Sequence, residues 1–361
     1  MQDERAMRDA LKLAARALGQ TSPNPMVGAL VTSGDEVIGR GYHSHAGADH
    51  AEVVALREAG ERARGATLYI TLEPCAHQGR TPPCVETILE AGPKRVVIAM
   101  EDPDERVRGK GIAALRAAGI DVEVGVAGKQ AAHLNRMYAH QRQTGLPYVT
   151  LKMAQSLDGK IAAHPGDRLQ LTGKQAQRLV RKLRFEHDAV MVGAGTVLAD
   201  DPQLTVRPSK QRTVPYTRIV LDAHGRIPLR AKILRDQMRA RTIFVTTASL
   251  PQHLSGELQR RNITVMQCAS DKDGLVDLKD AMRQLGTLQI LSILCEGGPT
   301  LAASLLRQGL VAELQWLIAP VVFGAQAVSV VGDLDSAIFV DVEQLRRLGD
   351  DIALTAHVKH A

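Results

Sequence analysis

The sequence predicts an α/β protein built as two domains, and three observations carry that expectation. The chain has 361 residues, more than the ~250–300 at which a single core stops growing. Strand-like apolar runs alternate with runs at helical spacing in both halves, the pattern of sheets with helices on their faces. Neither half repeats the other, so two different folds are expected, with domains at 1–146 and 147–361.

The elements follow in order. Met7, Leu11, Ala14 and Leu18 recur at helical spacing, and Thr21-Ser22-Pro23-Asn24-Pro25 ends that helix with two prolines. Runs at 27–32 and 36–41 flank the turn Ser33-Gly34-Asp35 and suggest a hairpin. A helix over 50–59 is followed by strands at 67–72, 95–100 and 121–124, with helices at 83–90 and 111–118 between them. After the polar stretch 133–147, strands are expected at 148–154, 188–192, 218–221, 242–246, 263–267 and 289–295. Helices over 175–185 and 300–308 belong to this second series.

Composition narrows the function classes. Hydrophobic residues make up 45% and charged residues 23%, which excludes disordered and collagen-like chains. One Trp, five Tyr and four Phe leave few stacking platforms for single-stranded nucleic acid. The net charge of +6 is spread along the chain, which suits a small anionic substrate better than a polyanion. The first residues lack a signal-peptide core, the longest apolar stretch contains Pro320, and four cysteines make no disulfide framework. A cytoplasmic protein with no membrane or nucleic-acid partner is expected, with self-association into a homo-oligomer open.

The most informative residues are His50-Ala51-Glu52, then Glu73-Pro74-Cys75, then Cys84. One imidazole and two thiolates supply three zinc ligands, and a catalytic site keeps the fourth tetrahedral position open. Cys75 and Cys84 stand farther apart than in a closed structural knuckle. Glu52, two residues beyond His50 at a helix start, reaches the open position without being a ligand. That is how zinc deaminases divide the work: zinc makes hydroxide available near neutral pH and the carboxylate moves protons to the leaving amine. Each residue alone has a bland explanation, as a surface histidine or a buried thiol; the ordered set does not.

These residues, with Ser22-Pro23-Asn24-Pro25-Met26-Val27-Gly28, Gly41-Tyr42-His43 and the run from Thr71 through His77, Gln78, Gly79, Arg80, Thr81, Pro82 and Pro83 to Cys84, resemble the deaminase domain of the bifunctional riboflavin-biosynthesis deaminase/reductase family. The resemblance implies a cytidine deaminase-like α/β/α domain in which His50, Cys75 and Cys84 bind one zinc and Glu52 shuttles protons. It also implies that Asn24, His43, Ala51, His77, Arg80 and Thr81 line the substrate pocket. Asn24 offers donor and acceptor to a pyrimidinone amide edge, and the Arg80 fork suits a phosphate.

In the second half, Gly193-Ala194-Gly195 after a strand hints at a dinucleotide turn, but Leu198 replaces the third glycine and Asp222 lies too far along for a Rossmann pattern. Glu296-Gly297-Gly298-Pro299-Thr300 is a second glycine turn leading into a helix. The segments from Lys152 to Lys160, from Gly195 to Arg207 and from Glu296 to Leu301 resemble the reductase domain of the same family. That implies a dihydrofolate reductase-like α/β domain using NADPH. Cofactor contacts are then implied at Ala154, Thr196, Asp200, Gly297 and Gly298, and substrate contacts at Lys152, Arg184, Leu204, Arg207 and Glu296. The chain departs from the family at Arg168 and Gln170, where a substrate-side hydroxyl and a cofactor-side aromatic are common. The function so implied is hydrolytic deamination of a ribosylamino-pyrimidinone 5′-phosphate followed by NADPH-dependent reduction of its ribosyl group. The alternative is a base deaminase with a non-catalytic C-terminal module.

Overall fold

The computed structural model describes residues 2–76, 83–164, 166–167, 169–206, 212, 216–235, 237–238 and 240–359. The chain divides into two compact units, Met1–Gly145 and Leu146–Ala361. Among the described residues no helix is long and apolar enough to cross a membrane.

The first unit runs α1 (Gln2–Ala15), β1 (Gly28–Ser33), β2 (Glu36–Tyr42), α2 (Ala51–Ala59), β3 (Thr67–Ile70), α3 (Cys84–Ala91), β4 (Arg95–Ile98), α4 (Lys110–Ala117), β5 (Asp121–Val124), α5 (Gly128–Leu134) and α6 (Arg136–Thr144). Its sheet has the order β2-β1-β3-β4-β5. β1 is antiparallel to β2 and β3, and β3, β4 and β5 are parallel. Side chains alternate between the faces of a strand. Thus Ala29, Val31, Leu68, Ile70, Val96 and Ile98 enter the core beneath α2, α3 and α4, while Leu30, Tyr69 and Val97 meet Met7, Ala10 and Ala131 on the opposite face.

Close packing of α2 on β2 fixes the first site. A Cβ on Gly41 would stand 2.0 Å from the Ala51 carbonyl oxygen, and one on Gly39 would stand 2.2 Å from that of Ala55. Only glycine lets the helix sit this near the strand. The polar stretch 133–147, read as a divide between domains, holds α6, which buries only Tyr138 and Gln141 and ends at Gly145 with φ 73°. So small an apolar face leaves no helical period to read.

The second unit runs β6 (Tyr148–Ser156), β7 (Lys160–Ala162), α7 (Lys174–Glu186), β8 (Ala189–Gly193), α8 (Ala194–Asp200), β9 (Thr217–Leu221), β10 (Arg241–Thr246), α9 (Gln252–Arg260), β11 (Thr264–Gln267), α10 (Leu278–Thr287), β12 (Ser292–Cys295), α11 (Pro299–Arg307), β13 (Glu313–Ala319), β14 (Val328–Ser329), β15 (Val340–Leu348) and β16 (Asp351–Val358). The main sheet has the order β11-β10-β9-β8-β12-β6-β13-β16-β15. Strands β11 through β13 in that order are parallel; β16 and β15 complete the edge antiparallel. The central strands β8 and β12 are buried nearly end to end, as sheets covered on both faces require.

Candidate active sites

In the first unit, His50 stands in extended backbone at the N-cap of α2, Glu52 lies in its first turn, and Cys84 opens α3. The Nδ1 of His50 is 2.9 Å from the Cys84 sulfur and 3.8 Å from that of Cys75. All three ligand atoms lie within 4.8 Å of one another, a span that one tetrahedral ion bridges. The Cys75 thiol is held down to about 4, chiefly by hydrogen bonding with Cys84 and also with His50. The same Cys75 sulfur and burial push the Cys84 thiol up. Two sulfurs crowded beside a buried carboxylate form a donor set that a dication completes, so these residues fit zinc.

Glu52 is 3% exposed, its Oε2 has no hydrogen-bond partner among the described residues, and burial pushes its carboxyl up. A buried acid with an open oxygen beside the metal donors is what proton transfer to and from a reacting water needs. Beside it, Nδ1 of His43 lies 3.1 Å from the Asp49 carbonyl oxygen and Nε2 lies 3.1 Å from the Asn24 amide nitrogen. A carbonyl only accepts, so Nδ1 carries the proton, and Nε2 accepts from Asn24. Burial lowers the His43 imidazole, which keeps it neutral. The His43 and His50 rings meet edge to face, centroids 5.4 Å apart. Ala51 is fully buried. The structure therefore brings Asn24, His43, His50, Ala51, Glu52, Cys75 and Cys84 together; His77, Arg80 and Thr81 lie outside the described residues.

Several supporting residues escaped the sequence reading. Asn135 brackets Met26, accepting from its amide at 2.8 Å and donating to its carbonyl at 2.9 Å, and Arg142 donates to the Pro23 carbonyl. Both hold the loop that carries Asn24. Glu73, an acid next to the zinc cysteine and so a rival for the proton shuttle, accepts from the amides of Asp102, Gly109, Gly111 and Ile112. It anchors the backbone instead. Such long-range pairings carry no local sequence signal.

In the second unit a cavity of about 1040 Å³ opens across the middle of β6 and the carboxyl ends of β12, β8 and β9. Lys152, Ala154, Thr196, Asp200, Glu296, Gly297 and Gly298 all line it. Arg184, from α7, forms a two-pronged pair with Glu296, Nε to Oε1 at 2.5 Å and Nη2 to Oε2 at 2.9 Å. The Lys152 ammonium lies 3.9 Å from Glu296. Burial alone would raise the Glu296 carboxyl, but Arg184 and Lys152 hold it low; burial lowers the Lys152 ammonium against that attraction. Gly298 caps α11 in extended backbone with Pro299 at the helix start, and a Cβ there would stand 3.6 Å from the Thr196 hydroxyl. The two glycine turns line a cavity of a volume that admits a dinucleotide.

Two expected contacts stand back from this lining. The Leu204 side chain is buried among Val190, Val197, Tyr216 and Val220 in the core, with φ 48°. Arg184 reaches the cavity only through Glu296. Arg207 and Arg168 lie outside the described residues, and Gln170 lines the cavity.

A half-buried His-Cys-Cys centre with a buried, proton-handling glutamate on one α/β unit, and a dinucleotide-sized cleft on another, define a zinc-dependent deaminase fused to a reductase. Residues 1–100 match the profile of the cytidine and deoxycytidylate deaminase zinc-binding region, and residues 147–354 match that of the RibD C-terminal domain. The chain is 40% identical to the riboflavin biosynthesis protein RibD of Aquifex aeolicus over 98% of its own length and 97% of that protein, and 42% identical to that of Escherichia coli over 98% and 99%. The solved structure of Acinetobacter baumannii RibD (form 1) superposes with a TM-score of 0.91 at 38% identity over 99% of both chains. A Thermotoga maritima diaminohydroxyphosphoribosylaminopyrimidine deaminase/5-amino-6-(5-phosphoribosylamino)uracil reductase superposes at 0.86 with 32% identity, again over 99% of both. The chain belongs to the RibD family of riboflavin biosynthesis proteins. Its cofactors are accordingly zinc for deamination and NADPH for reduction.

Proposed function

We propose that the unit 1–146 deaminates 2,5-diamino-6-ribosylamino-4(3H)-pyrimidinone 5′-phosphate and that the unit 147–361 reduces the ribosyl group of the product to ribityl. The open, buried Oε2 of Glu52 beside His50, Cys75 and Cys84 carries the first half. Zinc held there supplies the positive charge that makes water nucleophilic near neutral pH. Glu52 takes the proton of the attacking water and delivers it to the departing amine. Asn24, oriented by the neutral His43, presents its amide to the pyrimidinone edge, while His77, Arg80 and Thr81 complete the pocket, with Arg80 on the phosphate.

In the second unit NADPH supplies the hydride. Ala154, Thr196, Asp200, Gly297 and Gly298 hold it, and Lys152 and Glu296, locked in place by Arg184, set the ribosyl carbon against it. Positioning of this kind supplies much of the rate in hydride transfer. Arg207 binds the substrate phosphate, and Leu204 contributes through its backbone.

The reading includes a small-molecule substrate in the cytoplasm and no nucleic-acid partner. It includes self-association into a homo-oligomer. Ammonia release and NADPH oxidation on the pyrimidine phosphate, against a single-stranded oligonucleotide control, test the function. Ammonia released from the oligonucleotide alone would favour a base deaminase.

A further inference from the structure

Arg184, in the last turn of α7, meets Glu296 through two side-by-side hydrogen bonds, a geometry that holds only at one height of the helix along its own axis. The apolar contacts of α7 do not set that height. Its buried residues are Ala176, Leu179 and Leu183, a narrow stripe packed with Leu294, Leu317 and Ala353. Apolar burial is non-directional, and packed helices can slide along such surfaces. The stripe therefore fixes how deep the helix lies more firmly than where it stands along its axis.

Polar contacts fix it at both ends. At the start, the Gly173 amide donates to Asp351 Oδ2 at 2.8 Å. At the end stands His187, which is fully buried. Its own amide donates to the Leu183 carbonyl oxygen at 3.1 Å, and its ring Nδ1 lies 2.7 Å from the same oxygen. Leu183 is the residue before Arg184. On the far side of the ring, Nε2 lies 2.9 Å from Thr150 Oγ1. Thr150 is two residues before Lys152 on β6, so the two point to one face of the sheet. His187 thus bolts the turn that carries Arg184 to the strand that carries Lys152, the two cations that flank Glu296.

The proton positions follow from the partners. A carbonyl only accepts, so Nδ1 carries the proton and Nε2 accepts. The Thr150 hydroxyl has one proton to give. Glu313 Oε1 stands 3.5 Å from it, beyond the usual range between two oxygens, and Glu313 Oε2 accepts from the Tyr148 hydroxyl at 3.1 Å. The Thr150 hydroxyl therefore donates to His187, and the imidazole is neutral.

We propose that His187 is a positioning residue for the reduction: donating to Leu183 and accepting from Thr150, it sets Arg184 against Lys152 and so aims Glu296 at the ribosyl group. The inference rests on the reading of this unit as an NADPH-dependent reductase of that group. None of the residues it links is among those that hold the cofactor. Its loss should therefore slow the chemical step and spare cofactor binding.

Thr150→Val and Thr150→Ser in the full-length zinc protein test it. Valine keeps the branched shape and removes the donor; serine keeps the donor. Thr150→Val should lower kcat for NADPH oxidation on pre-deaminated substrate by at least about 10-fold, within the roughly 100-fold that a misplacement of about 1 Å can cause. The substrate KM should change less than kcat, and calorimetric NADP⁺ affinity should be unchanged, which also shows that the cleft is folded. Thr150→Ser should keep kcat near the native value. His187→Asn, whose amide nitrogen can stand for Nδ1 but does not reach Thr150, should match Thr150→Val. Native kcat in Thr150→Val or His187→Asn, with or without a rise in KM, overturns the proposal, and so does a loss in Thr150→Ser equal to that in Thr150→Val. Loss of NADP⁺ binding by both Thr150→Val and His187→Asn overturns it too, since the contact would then serve the fold rather than the reaction. A native chain that oxidises no NADPH on this substrate would overturn the reductase reading itself, and the proposal with it.

Discussion

Glu73 accepts the backbone amide of Gly111 at 2.9 Å and, through the same oxygen, that of Ile112 at 3.2 Å, fastening the segment that leads to Cys75 onto the start of α4. A Cβ on Gly111 would stand 2.1 Å from the Pro74 carbonyl oxygen, so the contact is available only to glycine. One zinc ligand is thus positioned by a carboxylate that does no chemistry. Gly111→Ala should displace Pro74 and Cys75 and lower zinc retention during dialysis against chelator by at least ~10-fold, since supporting contacts of this kind typically cost 10–100-fold in metal affinity. Full retention of zinc would show that the Glu73 anchor does not govern the ligand.

Glu52→Gln should keep its zinc and lose ammonia release by at least ~100-fold, because the amide has the shape of the acid but cannot carry a proton. NADPH oxidation on pre-deaminated substrate should be unchanged. Cys75→Ser and Cys84→Ser, in contrast, should lose metal by elemental analysis.

Breaking the pair between Arg184 and Glu296 should be costly, as both side chains are largely enclosed. Arg184→Met leaves a buried carboxylate without its two-pronged partner, with Lys152 at 3.9 Å, a change that typically destabilises by about 3–5 kcal/mol. Thermal unfolding should report the loss, and NADPH oxidation should fall while ammonia release persists below the melting range. The double variant Arg184→Met, Glu296→Gln should recover most of the stability and none of the reduction.

Asp102 gives a pH signature unrelated to catalysis. Burial raises its carboxyl from 3.8 to about 6, although the Asp104 amide and the Tyr138 hydroxyl donate to it. Between these values the folded chain holds a proton that the unfolded chain has lost, so stability falls as pH rises through that window and the loss is complete above about 6. It amounts to at most about 3 kcal/mol. Asp102→Asn, which keeps both acceptor contacts and cannot ionise, should be more stable than the native chain at pH 7–8, with the advantage vanishing near pH 4. Urea unfolding of both proteins across this range measures the difference.

The departures at Arg168 and Gln170 should leave reduction intact. Lys152, Asp200, Glu296 and the Gly297-Gly298 turn share one cavity with Gln170, and an absent aromatic contact costs on the order of 1 kcal/mol of cofactor binding. Gln170→Trp should lower the apparent KM for NADPH a few-fold at similar kcat. No oxidation by either protein would mean that the second unit has lost its catalytic role.

By itself the sequence determined the two α/β units, most strands of the parallel runs, and the zinc donors with their glutamate. Each is written locally, in apolar period or in the order of chemically distinctive residues, and His50 and Glu52 are neighbours on one helix start. It could not reveal α6, whose buried face is only Tyr138 and Gln141, nor that Glu73, two residues before Cys75, is taken up by backbone amides. Tertiary structure decided those by burial and by partners: four amides occupy Glu73, and among the described residues none reaches Glu52 Oε2. It also buried the Leu204 side chain in the core and turned Asp222 inward while leaving Arg226 on the cavity wall. The physical reason is that a side chain's role depends on which groups from distant strands reach it, and only the closed sheet fixes those distances.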